Sequence, residues 1–228
     1  VWGLYTKYVK NDSTSQITSG ITWSINPETF TTVSGNASVT LSASYKDKTS
    51  SDTTIMGINV SNPAPFSYLA PVYNTVGDPT SGIARWDTLS RTDYSLVENT
   101  TTTLNAGWYV VTGTDVQTNT LTCNGAVNLI LADGAKLTAT SGTDDNAGIT
   151  VSGDGNSLTV YAQSTDPAQM GTLFATGGVL GAGIGGGVEG SGSNITINGG
   201  SVTATGGESS AGIGGGAEGS GSDITING

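Results

Sequence analysis

Two consecutive copies of a 29-residue repeat constrain the fold of this chain more than any other feature. GTLFATGGVLGAGIGGGVEGSGSNITING occupies residues 171–199, and GSVTATGGESSAGIGGGAEGSGSDITING follows without a gap at residues 200–228. Each copy contains three short pieces that alternate apolar and polar residues between glycine-rich turns. A unit this short buries its apolar side only by stacking on its neighbours. The sequence therefore predicts a parallel β-helix with three strands in each 29-residue coil.

Equivalent residues of successive coils are expected to stack about 4.8 Å apart, which is the spacing of paired strands. The expected stacks are chemically alike: Ile195 on Ile224 inside the coil, and Asn198 on Asn227 outside. Asparagine ladders hydrogen-bond along such a stack. Less regular copies upstream, such as GAKLTATSG, extend the pattern, so we predict the β-helix over residues 107–228.

The first part of the chain has a different pattern. Three segments alternate apolar and polar residues between turn-forming residues, as antiparallel strands with one solvent-exposed face do. They are GITWSINPETF, NASVTLSASYKD and TTIMGINVSNPAPF. We predict a β-sandwich of Ig-like architecture over residues 1–75. Residues 76–106 are interpreted as a connector that also caps the first coil, because an uncapped β-helix end exposes strand edges.

The seven residues GAGIGGG at positions 181–187 contain the spacing GxGxxG, which cradles nucleotide phosphates in other proteins. That function requires a helix directly after the motif, but GVEGSGSNITING is glycine-rich and then strand-like. The second copy has Ser210 in place of Gly181. The motif therefore indicates architecture, and we expect Ala182 and Ile184 to pack inside the coil.

Charge and composition exclude several function classes. The net charge is −11, histidine is absent, and Lys136 is the only basic residue after residue 107. Nucleic-acid binding needs clustered Lys and Arg, so no nucleic-acid partner is expected. No stretch is apolar for 18 residues, so no membrane insertion is expected in this segment. The single cysteine, Cys123, alternates with Thr122 and is expected to face inward as an inert thiol.

Cleavage of a polysaccharide is the catalytic alternative, because many parallel β-helices degrade acidic polysaccharides, an analogy at the level of fold. Hydrolysis needs two carboxylates about 5–9 Å apart across a groove. The competing interpretation is that the acids simply form turns, as TDDN and GDGN indicate. The candidate acids are Asp115, Asp133, Asp144, Asp145, Asp154 and Asp166.

Acidic turns also bind calcium through carboxylate and carbonyl oxygens. The candidate metal ligands are Asp144, Asp145 and Asp154, the last in SGDGNSL, which faintly resembles a nonapeptide calcium turn. No other cofactor is expected. Glu189 and Glu218 occupy equivalent positions of the two copies, where a solvated loop is the simplest explanation.

Carbohydrate binding would use exposed aromatic side chains, and five N-x-Ser/Thr sequons offer glycosylation sites. Phe174 is expected on the outward face, at the position of Thr203 in the next coil. The other candidate aromatic residues are Trp2, Trp23, Trp86, Trp108 and Tyr161. The sequons begin at Asn11, Asn36, Asn59, Asn99 and Asn194.

GAGIGGGVEGSGSNITINGGSVTATGG, with NLILADGAKLTATSG before it, resembles the glycine-rich AGIGGG-type repeats of adhesin-like, β-helical surface proteins of bacteria and archaea. The resemblance covers about residues 107–228. It implies an extracellular or cell-surface location and an adhesive or scaffold role, and it supplies no catalytic residues.

The sequence thus favours a non-enzymatic extracellular protein, a surface adhesin segment or filament subunit with a rigid β-helix stalk and head-to-tail stacking. Its expected partners are other copies of itself, neighbouring surface proteins or carbohydrate. The alternative is a polysaccharide-binding or polysaccharide-cleaving β-helix protein. Because the chain begins at Val1 and stops on the last residue of a repeat, we also expect that sequence has been removed upstream and that more coils follow Gly228.

Overall fold

A computed structural model describes residues 64–227 in full and, within residues 1–63, the backbone of six strands. Every regular element among the described residues is a β-strand, and none is a helix. The chain divides into two compact units, residues 1–64 and residues 65–228. The all-β class predicted from the sequence is therefore confirmed.

The strands of the first unit are antiparallel. Strands β1 (Thr6–Lys10) and β2 (Ser13–Ile17) form a hairpin. The longest strand of the unit, β4, pairs with three others in a separate sheet. That sheet consists of β3 (Thr22–Asn26), β4 (Gly35–Tyr45), β5 (Lys48–Thr49) and β6 (Thr53–Val60).

The second unit begins with a long antiparallel hairpin and continues as two parallel sheets. The hairpin strands are β7 (Phe66–Thr75) and β8 (Asp78–Arg91), which span the predicted boundary at residue 75. We call the larger parallel sheet the main sheet. It contains β9 (Ser95–Leu96), β10 (Thr103–Val111), β12 (Leu121–Leu131), β14 (Ile149–Thr150), β15 (Ser157–Ala162), β17 (Ile184–Gly185), β18 (Gly192–Ile197), β20 (Ile213–Gly214) and β21 (Gly221–Ile226).

The smaller parallel sheet, which we call the side sheet, alternates with the main sheet along the chain. Its strands are β11 (Val116–Thr118), β13 (Lys136–Thr140), β16 (Thr172–Thr176) and β19 (Ser201–Thr205). Each passage through the main sheet and then the side sheet is one circuit, and successive circuits pair in parallel. The two sheets nearly close on each other, an arrangement compatible with a parallel β-helix.

Alternation of apolar and polar residues puts one apolar row of each strand inside the circuits. Leu158, Ile195 and Ile224 pair along one row, and the first two are completely buried. Ile184 pairs with Ile213, as the repeat predicts. Cys123 also faces inward, where burial raises the pKa of its thiol to about 12. The core of the unit is thus a stack of like side chains between the two sheets.

The hairpin lies across the outer surface of the main sheet. Tyr68 of β7 packs on Val110 and Ile130 of neighbouring circuits. Farther along β7, the hydroxyl of Tyr73 accepts a hydrogen bond from Asn227 at 3.2 Å. Because Ile130 and Asn227 belong to different circuits, β7 runs across the strands and joins early circuits to the last one.

Candidate functional site

A groove of about 420 Å³ crosses the turns that follow the side-sheet strands. Its walls come from three successive circuits, because the turns follow β13, β16 and β19. The lining residues are 141–144, 177–179 and 207–208.

Glycine makes this close stacking of turns possible. A Cβ atom at Gly178 would collide with the carbonyl oxygen of Thr143, and one at Gly207 would collide with the carbonyl oxygen of Gly178. Within the first turn, Ser141 Oγ donates a hydrogen bond to the Thr143 carbonyl at 2.8 Å. The floor of the groove therefore consists of backbone atoms, and the side chains that line the groove project from the turns.

Two exposed carboxylates, Asp144 and Glu208, line this groove on different circuits. Val179, which is 46% exposed, lies on the circuit between them. Together they offer acceptors for the hydroxyl or amino groups of a sugar and a small apolar contact. The sequence predicted Asp144 as a candidate but missed Glu208, which occupies the position of Val179 in the other repeat copy. Comparing the two copies for charge differences would have identified it.

The other candidate acids lie outside the groove, and several have partners of their own. Asp115 forms an ion pair with Lys136 at 3.5 Å. Asp133 accepts a hydrogen bond from Ser164 Oγ at 2.8 Å. Asp166 accepts one from the backbone N–H of Ala168 at 2.9 Å, as turn-forming acids do. None of these three acids lines the groove with Asp144.

The acids predicted as calcium ligands lie in two different turns. Asp144 and Asp145 follow β13, whereas Asp154 follows β14, and all three are exposed. Within the part of the chain that the structure describes, no three or more acids, cysteines or histidines lie close enough to hold a metal ion.

The GAGIGGG segment forms part of a circuit wall. Three of its backbone N–H groups, those of Gly183, Ile184 and Gly186, donate to the carbonyls of residues 211, 212 and 214 in the next circuit, and those of Gly181 and Ala182 donate to the carbonyls of residues 178 and 186. A phosphate site needs free N–H groups that converge on the ligand. The segment therefore serves stacking and does not form a phosphate cradle.

An aromatic cluster fills the space between the hairpin and the main sheet. The Tyr68 ring centroid lies 4.9 Å from that of Trp108 and 4.9 Å from that of Tyr161. Burial is the main reason why the pKa of the Tyr161 hydroxyl rises to about 12. Arg91 lies over the Trp108 ring, with its guanidinium carbon 4.4 Å from the centroid. These rings serve packing, because they face each other and not an open surface.

Phe174 lies on the outer face of the side sheet, as predicted, and is 38% exposed. It pairs with Thr138 and Thr203 on the neighbouring strands, and Lys136 Nζ lies 5.8 Å from its ring centroid. Trp86 is half-buried on β8. Trp2 lies outside the described residues, and Trp23 is known only as a backbone position in β3.

Two of the predicted sequons have described side chains, and both are exposed. Asn99 Oδ1 accepts a hydrogen bond from the backbone N–H of Gln117 at 3.1 Å, and Asn194 lies in β18. Asn36 and Asn59 pair across β4 and β6 as backbone positions, and Asn11 lies outside the described residues.

The two ends of the winding differ. At the first circuit, residues 95–102 lie over β10 and β11: Val97 is buried and donates its N–H to Val110, and Asn99 bonds Gln117. At the other end, Ile226 is 64% exposed, whereas its neighbour Ile197 one circuit earlier is 2% exposed. We call β19, β20 and β21, the last strand of each row, the terminal edge.

Comparison with known proteins gives no match to this chain among protein-family models, curated proteins or solved structures. A search of the described residues for a helix long and apolar enough to cross a membrane likewise gives none.

Proposed function

We propose that the chain is a non-enzymatic, extracellular structural protein, a segment of a surface adhesin or filament in which a rigid stalk displays or spaces other domains. Its finer architecture in this proposal is an Ig-like first unit followed by a parallel β-helix of 29-residue, three-strand coils. The observation that carries the proposal is the in-register parallel stacking of circuits around one continuous apolar core. A structure whose repeats stack in one direction spans distance.

Three further features support this role. The main-sheet rows match like with like, as with Ile195 on Ile224, and the outer Asn227 donates a hydrogen bond to Asn198 at 2.8 Å. The hairpin crosses several circuits and so braces them against bending. The polar, acidic surface and the single buried thiol suit an extracellular setting, where exposed thiols would oxidise.

Surface location is tested on intact cells that make the protein. Protease added outside the cells should remove the chain while a cytosolic marker stays intact. Protection of both would refute the extracellular role. Electron microscopy of native material then distinguishes a filament subunit from an adhesin segment, because a filament gives continuous rods whereas isolated particles would exclude polymerisation.

A polysaccharide-binding or polysaccharide-cleaving protein is the second candidate, and the groove with Asp144 and Glu208 favours it. A retaining or inverting hydrolase would place these carboxylates on either side of one glycosidic bond. The test incubates the chain with neutral, acidic and amino polysaccharides and measures both retention and new reducing ends. Reducing ends that disappear in Asp144→Asn and in Glu208→Gln, but persist in Asp154→Asn, would replace the structural proposal by this one.

A further inference from the structure

Four dipeptides in which glycine follows aspartate or asparagine lie within residues 64–227. They are Asn124–Gly125, Asp133–Gly134, Asp154–Gly155 and Asn198–Gly199. In such a pair the glycine nitrogen can attack the side-chain carbonyl carbon of the preceding residue, because glycine has no Cβ atom to hinder the approach. The attack requires a free glycine N–H and a side chain that can turn towards it. Whether a pair reacts therefore depends on how the fold holds these two groups.

The Asp133–Gly134 pair is held at both reacting groups. The N–H of Gly134 donates a hydrogen bond to the carbonyl of Gln169 at 2.6 Å. Oδ1 of Asp133 accepts a hydrogen bond from Ser164 Oγ at 2.8 Å. Both bonds must break before the nitrogen reaches the carboxyl carbon, so the fold protects this pair.

The two asparagine pairs are held in other ways. The N–H of Gly125 donates a hydrogen bond to Asn156 Oδ1 at 2.6 Å, so it is not free to attack Asn124. Asn198 is 6% exposed, and its Oδ1 accepts a hydrogen bond from Asn227 at 2.8 Å. The Asn198 side chain therefore cannot turn towards the next nitrogen without losing that bond and disturbing close packing.

The Asp154–Gly155 pair is open at both reacting groups. Both residues are exposed, and a Cβ atom at Gly155 would meet no atom within 4 Å. In the part of the chain that the structure describes, the Gly155 N–H and the Asp154 carboxylate have no hydrogen-bond or ion-pair partner. This pair thus differs from the other three in the restraint on its reacting groups.

We propose that Asp154 is a modification site, at which aspartate converts to isoaspartate without an enzyme. The Gly155 nitrogen forms a bond to the side-chain carboxyl carbon of Asp154, and one carboxyl oxygen leaves as water with the amide proton and a proton from solvent. Water then opens the resulting cyclic imide. Attack at the side-chain carbonyl restores aspartate, whereas attack at the main-chain carbonyl leaves the chain linked through the side-chain carboxyl carbon, which is isoaspartate. The water released in the first step is consumed in the second, so no oxidant or reductant is needed.

The isomer adds one methylene group to the main chain in a turn that links circuits. Asn156 fastens this turn, because its Nδ2 donates to the carbonyl of Ser152 at 2.6 Å and its Oδ1 holds Gly125 of β12. The Asn156 carbonyl accepts a hydrogen bond from Asn194 of the next circuit at 3.4 Å. A longer chain between Ser152 and Asn156 shifts these groups, so conversion should loosen the link between neighbouring circuits.

The test stores the folded chain at neutral pH and body temperature and follows isoaspartate by peptide mapping. The two isomers have equal mass but separate by chromatography, and a protease specific for aspartate does not cleave at isoaspartate. We expect isoaspartate to form at Asp154 at least about tenfold faster than at Asp133, because two hydrogen bonds protect the latter. In guanidinium chloride the chain unfolds, and the two rates should become similar.

Asp154→Ser is the matched control, because Ser191 and Ser220 stand at the equivalent position of the two repeats. The stored original chain should melt about 2–4 °C below the fresh chain as Asp154 converts. Asp154→Ser should keep its melting temperature during the same storage.

The proposal is overturned if Asp133 converts as fast as Asp154 in the folded chain, or if the difference persists in guanidinium chloride, because sequence alone would then set the rates. Equal losses of melting temperature in the original chain and in Asp154→Ser would also overturn it. None of these outcomes depends on surface location, so the stalk function is refuted separately by the protease assay.

Discussion

Gly185 and Gly214 allow the cost of close backbone passage to be measured separately from the cost of backbone strain. They are paired residues of successive circuits, with φ angles of 137° and 135°. An alanine in this region of φ costs about 1–3 kcal/mol at either position. Only Gly185 faces the next circuit, where a Cβ would collide with the carbonyl oxygen of Gly214. A Cβ atom at Gly214 would have the Cβ atom of Ala211 as its nearest neighbour, at 3.3 Å.

Both Gly185→Ala and Gly214→Ala therefore carry the cost of backbone strain, but only Gly185→Ala adds the cost of the collision. Overpacking of a rigid interior costs about 1–3 kcal/mol, so we expect Gly185→Ala to destabilise the protein by about 2–6 kcal/mol and Gly214→Ala by about 1–3 kcal/mol. The measurement is equilibrium unfolding in urea, monitored by far-ultraviolet circular dichroism. The free energies of unfolding are compared between variants whose free energy depends on urea concentration with the same slope. Equal losses, within about 0.5 kcal/mol, would refute close passage as the reason for the GAGIGGG sequence.

Two further predictions concern the aromatic cluster and the buried thiol. Tyr68→Ala should reduce the free energy of unfolding by about 3–5 kcal/mol, because the ring is 3% exposed between Trp108 and Tyr161. Leu89→Ala, at the 46% exposed cross-strand partner, should change it by less than about 0.5 kcal/mol in urea titrations, and equal losses would contradict the bracing role. Cys123 should resist a thiol reagent at pH 8 in the folded protein and react in urea, because burial raises its pKa from 9.0 to about 12. The stability that its neutral thiol contributes is complete below pH 9 and falls as the pH rises towards 12. Labelling of the folded protein at pH 8 would contradict this prediction, because it would show that the core around Cys123 opens to the reagent.

The register of the last circuits was predictable because the two repeat copies can be aligned in only one way that pairs each residue with a chemically similar one. Ile195 on Ile224 and Asn198 on Asn227 follow from equal spacing in two copies. The same periodicity identified the inward position of Ile184. A gapless repeat of strand-like pieces carries its long-range contacts in its local sequence, which is why prediction succeeded there.

The hairpin was not predictable in the same way. Nothing in the spacing of residues 66–91 indicates that Tyr68 packs against strands from three circuits, because that contact depends on the outer row formed by Val110, Ile130 and Tyr161. Pro71 also lies within β7, and proline usually marks an edge or a connection. The groove escaped prediction for a related reason, since Asp144 and Glu208 line one groove only because their circuits stack.

The bond between Tyr73 and Asn227 joins residues 154 positions apart in the sequence. During synthesis on a ribosome, β7 and β8 emerge before any of the strands that they cross. We expect each new circuit to form on the one before it and the hairpin to gain its contacts with Ile130, Tyr161 and Asn227 in that order. Contacts of such large sequence separation slow folding. We therefore expect vectorial folding, with early circuits as the template and the hairpin locking last.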